Sequence, residues 1–101
     1  MNPDEIDLLR ARLLGETARA DWAELRTFFA RGKLIRVHAE LDLIEVAVQI
    51  ATDQSSDIEI LMQSGRLGPL DDATAVDWQQ RHPPLWAVVL APWVLVQERA
   101  H

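Results

Sequence analysis

The sequence contains no cysteine among its 101 residues. Disulfide bonds, thiolate metal sites and cysteine nucleophiles are therefore excluded. Cations are also few, since 10 Lys and Arg stand against 16 Asp and Glu, which gives a net charge of −6 at pH 7. Proteins that bind the nucleic-acid backbone rely on clustered cations, so nucleic acid is not an expected partner of this acidic chain.

Long apolar runs are missing as well. The longest covers residues 85–96 and is interrupted by Pro92, whereas a membrane-spanning helix needs about 20 apolar residues. The acidic stretch from Met1 to Glu5 does not have the basic and then apolar pattern of a secretory signal. We therefore expect a cytoplasmic protein that does not contact a membrane.

What is present is an ordinary globular composition, with 49% hydrophobic and 26% charged residues. The length fits a single domain over residues 1–101. Five segments begin with a residue that can cap a helix and continue with an apolar stripe. The candidate caps are Asn2, Asp21, Asp42, Ser56 (with Ser55 as a second choice) and Asp71 or Asp72. Each of the first four has a Glu three residues later, so the sequence predicts four to five short helices.

Two segments have the pattern of strands. In residues 33–39, Ile35, Val37 and Ala39 alternate with polar positions, which indicates a strand with one buried face. Residues 85–98 are apolar in both alternating rows until Gln97, which indicates a strand buried on both faces or two strands divided at Pro92. We predict an α+β fold in which the helices pack on a small antiparallel sheet formed by these two segments.

The two-sided apolar segment suggests self-association. A two-stranded sheet is marginally stable, and leaving a row of large apolar side chains in water is costly. A second copy of the chain would cover the spare face, so we expect a homodimer. The alternative is a monomer whose own helices cover both faces. The expected interface residues lie in this segment: Trp86, Val88, Leu90, Trp93 and Leu95.

Negative charge is concentrated in the middle of the chain. Residues 40–80 contain nine acidic side chains and one cation, Arg66. Six of the nine lie near predicted helix starts, where the helix dipole favours them, so helix capping explains most of the cluster. The alternative is an acidic face that binds a basic protein partner.

A ligand or metal site is the second functional hypothesis. His38 and Asp42 fall on one side of an extended segment, and Asp53 and Glu98 could complete a carboxylate and imidazole cluster for acid–base or metal chemistry. The structural alternative is that Asp42 only caps a helix. We favour a protein without catalysis and expect no cofactor.

Several short motifs resemble a known bacterial family. They are Leu41-Asp42-Leu43, Ala51-x-Asp53, Gly65-x-Leu67-x-Pro69, Trp78 and the closing Pro92-Trp93-Val94-Leu95-Val96-Gln97-Glu98. Together they are similar to the domain-of-unknown-function 2288 family over residues 8–99, although that family usually has Phe at the position of Trp93. The resemblance implies a small bacterial cytosolic protein. It implies no activity, and it leaves open roles beyond capping for Asp42, Asp53 and Glu98.

Overall fold

Helices cover about half of the chain in the computed structural model, which describes residues 1–99. The five helices in this range are α1 (Pro3–Glu16), α2 (Trp22–Ala30), α3 (Leu43–Ala51), α4 (Ser55–Gln63) and α5 (Asp72–Arg81). Three predicted caps are confirmed, because the side chains of Asn2, Asp42 and Asp71 accept backbone N–H bonds from the first turns of α1, α3 and α5. No helix in the described range is long and apolar enough to cross a membrane.

The start of α4 differs from the prediction. The helix begins at Ser55, and its N-cap is Gln54, whose side chain makes no capping hydrogen bond. The capping box expected between Ser56 and Glu59 is therefore wrong. Ser55 instead bonds backward, since both its amide and its hydroxyl donate to the carbonyl of Asp53 at the end of a tight turn.

Five strands form one sheet within residues 1–99. They are β1 (Ala18–Ala20), β2 (Leu34–Val37), β3 (Leu67–Pro69), β4 (Leu85–Leu90) and β5 (Trp93–Glu98). Both predicted strand segments are confirmed, and the second is divided at a cis Ala91–Pro92 peptide. The strands β1 and β3 were not predicted, because three residues are too few to show an alternating pattern.

The sheet is larger than predicted and it is mixed. Its strand order is β1-β4-β5-β2-β3. The pair β2–β5 is parallel, with Ile35 opposite Leu95, and the three other pairs are antiparallel. The prediction of a small antiparallel sheet is therefore corrected, while the α+β class is confirmed. Pairing directions were not determined by the pattern, because β2 and β5 meet only after three helices and two strands have intervened.

Both faces of the sheet carry a hydrophobic core. The core on the side of α1, α3 and α4 consists of Leu13, Val37, Leu43, Ile44, Val46, Ala47, Val48, Leu67, Val88 and Leu95. The core on the side of α2 and α5 consists of Trp22, Leu25, Leu34, Leu70, Ala75, Trp78, Leu85, Val94 and Val96. The chain's own helices thus cover the central part of β4 and β5 on both sides. The need to cover a whole sheet face gives no reason for a second copy.

Candidate functional site

The exposed apolar surface of the protein lies at one end of the sheet. Because β5 is antiparallel to β4 and parallel to β2, the last residues of β4 and the first residues of β2 and β5 share that end. Val89 is 57% exposed and Trp93 is 37% exposed there. We call this surface the open end and define it by Ile35, Ile50, Ile58, Met62, Leu90 and Trp93. Val89 lies at the same end of the hairpin but on the opposite face of the sheet, because it pairs with Val94 of the other core.

An apolar cleft of about 330 Å³ occupies the open end between the sheet and the helices α3 and α4. Its lining contains no charged residue and consists of Gly32, Ile35, Ile50, Ile58, Met62, Leu67, Gly68, Pro69, Trp93 and Leu95. None of the side chains of α4 is fully buried, so this helix covers the sheet incompletely. The cleft is the space that remains between them. Pockets that bind apolar groups in proteins start at about this volume.

Charges of opposite sign border the apolar cleft on its two sides. The Nζ atom of Lys33 lies 5.0 Å from the centre of the Trp93 ring, a cation–π contact. A second cleft of about 270 Å³ shares Ile50, Ile58 and Met62 with the first, and Asp53 and Glu59 line it. The open end therefore combines an apolar centre with a cation on one border and two carboxylates on the other.

The β4 strand adds an unprotected edge to this surface. The strand β1 pairs with β4 only from Leu85 to Ala87, so residues 88–90 have no neighbouring strand on that side within the described chain. The segment Leu85–Leu90 carries no charged side chain. Natural edge strands are usually protected by charges, prolines or bulges. A bare apolar edge of this kind is a surface on which another chain can pair.

The structure separates the five predicted interface residues. Val88 is 1% exposed and Leu95 is fully buried, so both already belong to the core of the subunit. Trp86 lies at the opposite end of the hairpin, where the guanidinium of Arg99 stacks over its ring at 5.0 Å. Only Leu90 and Trp93, which are paired across the hairpin, lie at the open end.

The opposite end of the hairpin is held by polar contacts. We call it the closed end and define it by Leu85, Trp86, Gln97 and Glu98, which are paired across β4 and β5. The buried Gln97 amide donates to the carbonyls of His38, at 3.0 Å, and Leu41, at 2.6 Å. It thus holds the loop between β2 and α3 against the sheet.

Glu98 has a structural partner on the other side of the sheet. Its carboxylate accepts a bond from Trp78 Nε1 at 3.0 Å and two bonds from Arg81 at 2.7 and 3.1 Å. The Arg81 guanidinium lowers the pKa of Glu98, with a smaller lowering from Trp78, although partial burial acts in the opposite direction. Arg81 also pairs with Asp77 on its own helix and lowers the pKa of that carboxyl. Glu98 therefore connects β5 to α5.

The other three residues of the predicted ligand site are spread over α3 and its flanking loops. His38 Nδ1 accepts the backbone N–H of Glu40 at 3.1 Å. Asp42 Oδ1 caps α3 by accepting from Ile44 and Glu45. Asp53 follows the far end of this nine-residue helix, which is about 14 Å long at 1.5 Å per residue.

The four predicted ligand residues are consequently not brought together as one site. Within residues 1–99, no group of three or more His, Asp or Glu side chains is arranged to hold a metal ion. Asp53 is the one member of the four that borders the open end. It has a left-handed backbone, with φ of 56°, which is uncommon outside glycine and fits the tight turn that joins α3 to α4.

Sequence reasoning missed the contacts that shape both ends. Gln97 and His38 are 59 positions apart, and Lys33 approaches Trp93 only because β2 and β5 are neighbours in the sheet. No local pattern signals such contacts. The one available hint was the polar pair Gln97-Glu98 at the end of an otherwise apolar run, since polar residues that continue a buried strand need hydrogen-bond partners.

Comparison with known proteins places this architecture in a family. The model of a family described as a protein of unknown function (DUF2288) matches residues 8–98. The chain is also similar to PA1075 from Pseudomonas aeruginosa, whose structure was determined in solution by NMR. The two share 46% sequence identity with a TM-score of 0.81 over 100% of this chain and 94% of that one. None of the curated proteins compared with the sequence matches it. The resemblance predicted from the motifs is confirmed, and the chain belongs to the DUF2288 family.

Proposed function

We propose that the protein acts as a self-associating binding module without catalysis, and that two copies meet through the open end. The observation that carries this proposal is the unequal covering of the β4–β5 hairpin. Its central side chains are buried under the chain's own helices, whereas Trp93 at its tip stays exposed beside an apolar cleft. Apolar surface concentrated in one place on a small protein is characteristic of protein interfaces.

The area that a stable interface needs indicates how much of the open end must be buried in the contact between two copies. A stable interface buries about 800 Å² on each partner, roughly an eighth of the 6351 Å² surface of this chain. The apolar cleft alone is too small for that area, so the hairpin tip with Leu90 must contribute. Each large apolar side chain that becomes fully buried adds about 1.5–3 kcal/mol, and the open end offers several.

The absence of catalysis in this proposal is supported by the roles of the conspicuous carboxylates. Asp42 caps α3, and Glu98 is bound by Trp78 and Arg81. Each already has a structural use at its position. A cytoplasmic location, expected from the sequence, is part of the same proposal and is testable by fractionating cells that produce the protein.

Sedimentation equilibrium tests self-association directly. We expect a mass of about twice the 11.4 kDa of one chain at micromolar concentration, and Met62→Asp should shift the protein to the monomer because Met62 lines the apolar cleft and is 51% exposed. Val76→Asp is the matched control, since Val76 is also an apolar helix residue, 57% exposed, but lies on α5. A wild-type mass of one chain at all concentrations, or equal loss of association in both variants, would contradict the proposal.

A further inference from the structure

The open end has a charge arrangement that matches a second copy of itself. Lys33 lies over Trp93 on one border of the apolar cleft, and Glu59 lines the adjoining cleft on the other border. Neither residue forms a salt bridge within residues 1–99. Both charges therefore remain available to a partner without an existing ion pair having to break.

From this arrangement we propose that two copies dock about a two-fold axis, with Lys33 of each chain facing Glu59 of the partner subunit. In a two-fold contact the same patch lies on both sides, so a residue on one border meets the opposite border of the other copy. Opposite charges on the two borders thus become attractive twice in one dimer. This inference rests on the proposed self-association and specifies its geometry.

The same charges disfavour other occupants of the cleft. A basic segment would be attracted by Asp53 and Glu59 but repelled by Lys33. An acidic segment would be attracted by Lys33 but repelled by the two carboxylates. Like charges that are brought together across an interface weaken binding by several kcal/mol, which disfavours the wrong partner. A partner is attracted at both borders only if it carries a positive and a negative charge at the same spacing. A second copy of this chain has that spacing because it has the same surface.

Glu59 is the better of the two carboxylates for a test. It lies within α4 and is exposed, and its only side-chain hydrogen bond in the described chain comes from Gln63 on the same helix, at 3.3 Å. Asp53 has a left-handed backbone, so a substitution there would disturb the turn between α3 and α4. Replacing Glu59 changes the charge of the border and leaves the apolar cleft intact.

Charge reversal with sedimentation equilibrium as the readout tests the proposed pairing. Lys33→Glu and Glu59→Lys should each raise the dimer dissociation constant about tenfold or more, because each change turns both symmetric pairs repulsive. The double variant should return to within about threefold of the wild-type value. An equimolar mixture of the two single variants should form a heterodimer of similar affinity, since both pairs are attractive again in the mixed dimer.

A matched control separates local pairing from net charge. Arg19→Glu changes the net charge as Lys33→Glu does, but Arg19 lies on β1 opposite Trp86, at the closed end of the hairpin. Its dissociation constant should stay within about twofold of the wild-type value. Circular dichroism and the melting temperature of each monomer establish that the variants fold.

The outcomes distinguish the two proposals. If the wild-type protein is monomeric, self-association and the pairing are both wrong. If the wild type is a dimer but the single reversals bind as tightly as it does, or the double variant and the mixture stay weak, the pairing of Lys33 with Glu59 is wrong while self-association stands.

Discussion

The two ends of the β4–β5 hairpin are similar in amino-acid composition but differ in how their side chains are covered. Each end contains a tryptophan and aliphatic neighbours. At the closed end, Trp86 is covered by Arg99, and Gln97 and Glu98 bind a loop and a helix. At the open end, Trp93 is 37% exposed, has the Lys33 ammonium over its ring and faces an apolar cleft.

This contrast shows that apolar sequence does not by itself mark an interface. The two ends differ in which polar groups from distant parts of the chain reach the hairpin. Polar partners complete the closed end within one subunit. The open end lacks comparable partners in the described chain, and there we propose that a second copy binds.

Truncating a tryptophan that contacts the closed end should destabilise the protein more than truncating a tryptophan at the open end. Trp78 is 1% exposed, packs edge-on against Trp22 at 6.1 Å and donates to Glu98 at the closed end. Trp78→Ala should lower the free energy of unfolding by about 3–5 kcal/mol in urea titrations. Trp93→Ala, at the open end, should cost less than half of that. Equal costs for the two changes would contradict the distinction between the ends.

The buried amide of Gln97 should be important for stability. Gln97→Ala leaves the carbonyls of His38 and Leu41 without their donor, so the free energy of unfolding should fall by about 2–3 kcal/mol. Gln63→Ala serves as control, because Gln63 is exposed and bonds only to Glu59; its effect should be below about 0.5 kcal/mol. A tolerated Gln97→Ala would show that the loop is held by other contacts.

Asp42 should behave as a helix cap. Asp42→Ala removes the acceptor for the amides of Ile44 and Glu45 and should cost about 1 kcal/mol in thermal unfolding. Asp42→Asn keeps an oxygen acceptor and should recover most of the loss. A role that needs the carboxylate charge would appear as an Asn variant no more stable than the Ala variant.

The ion pair of Glu98 should make stability depend on pH. Its folded-state pKa is lowered, chiefly by Arg81, so its contribution is present above the ordinary glutamate pKa of about 4.3 and is lost as pH falls through the lowered value. Glu98→Gln should cost less than about 1 kcal/mol at pH 7, because the carboxylate is partly exposed. The difference between the two proteins should shrink below pH 4. A constant or growing difference in acid would contradict this assignment.

Much of the fold was predictable because its signals are local. Asn2, Asp42 and Asp71 each cap the helix that follows them, and these contacts span only a few residues. The division of the last strand at Pro92 was also predictable, since proline cannot donate to a strand ladder. The strands β1 and β3 were not, because each is ordered by its neighbour in the sheet and not by its own three residues.

The site was only half predictable for the same reason. Leu90 and Trp93 were selected from their apolar character, and both lie at the open end. Val88 and Leu95 are equally apolar, but they are buried against α1 and α3, which come much earlier in the sequence. Exposure depends on how far α3 and α4 extend over the sheet, and a sequence pattern in β4 and β5 contains no information about that distance.

Amide hydrogen exchange at two protein concentrations shows which end of the hairpin becomes protected when two copies associate. If the open end is where two copies meet, protection of residues 89–93 should rise with concentration as the dimer forms, while protection of Gln97 and Glu98 at the closed end stays constant. Exchange that is independent of concentration throughout, or protection that rises at the closed end instead, would contradict self-association through the open end.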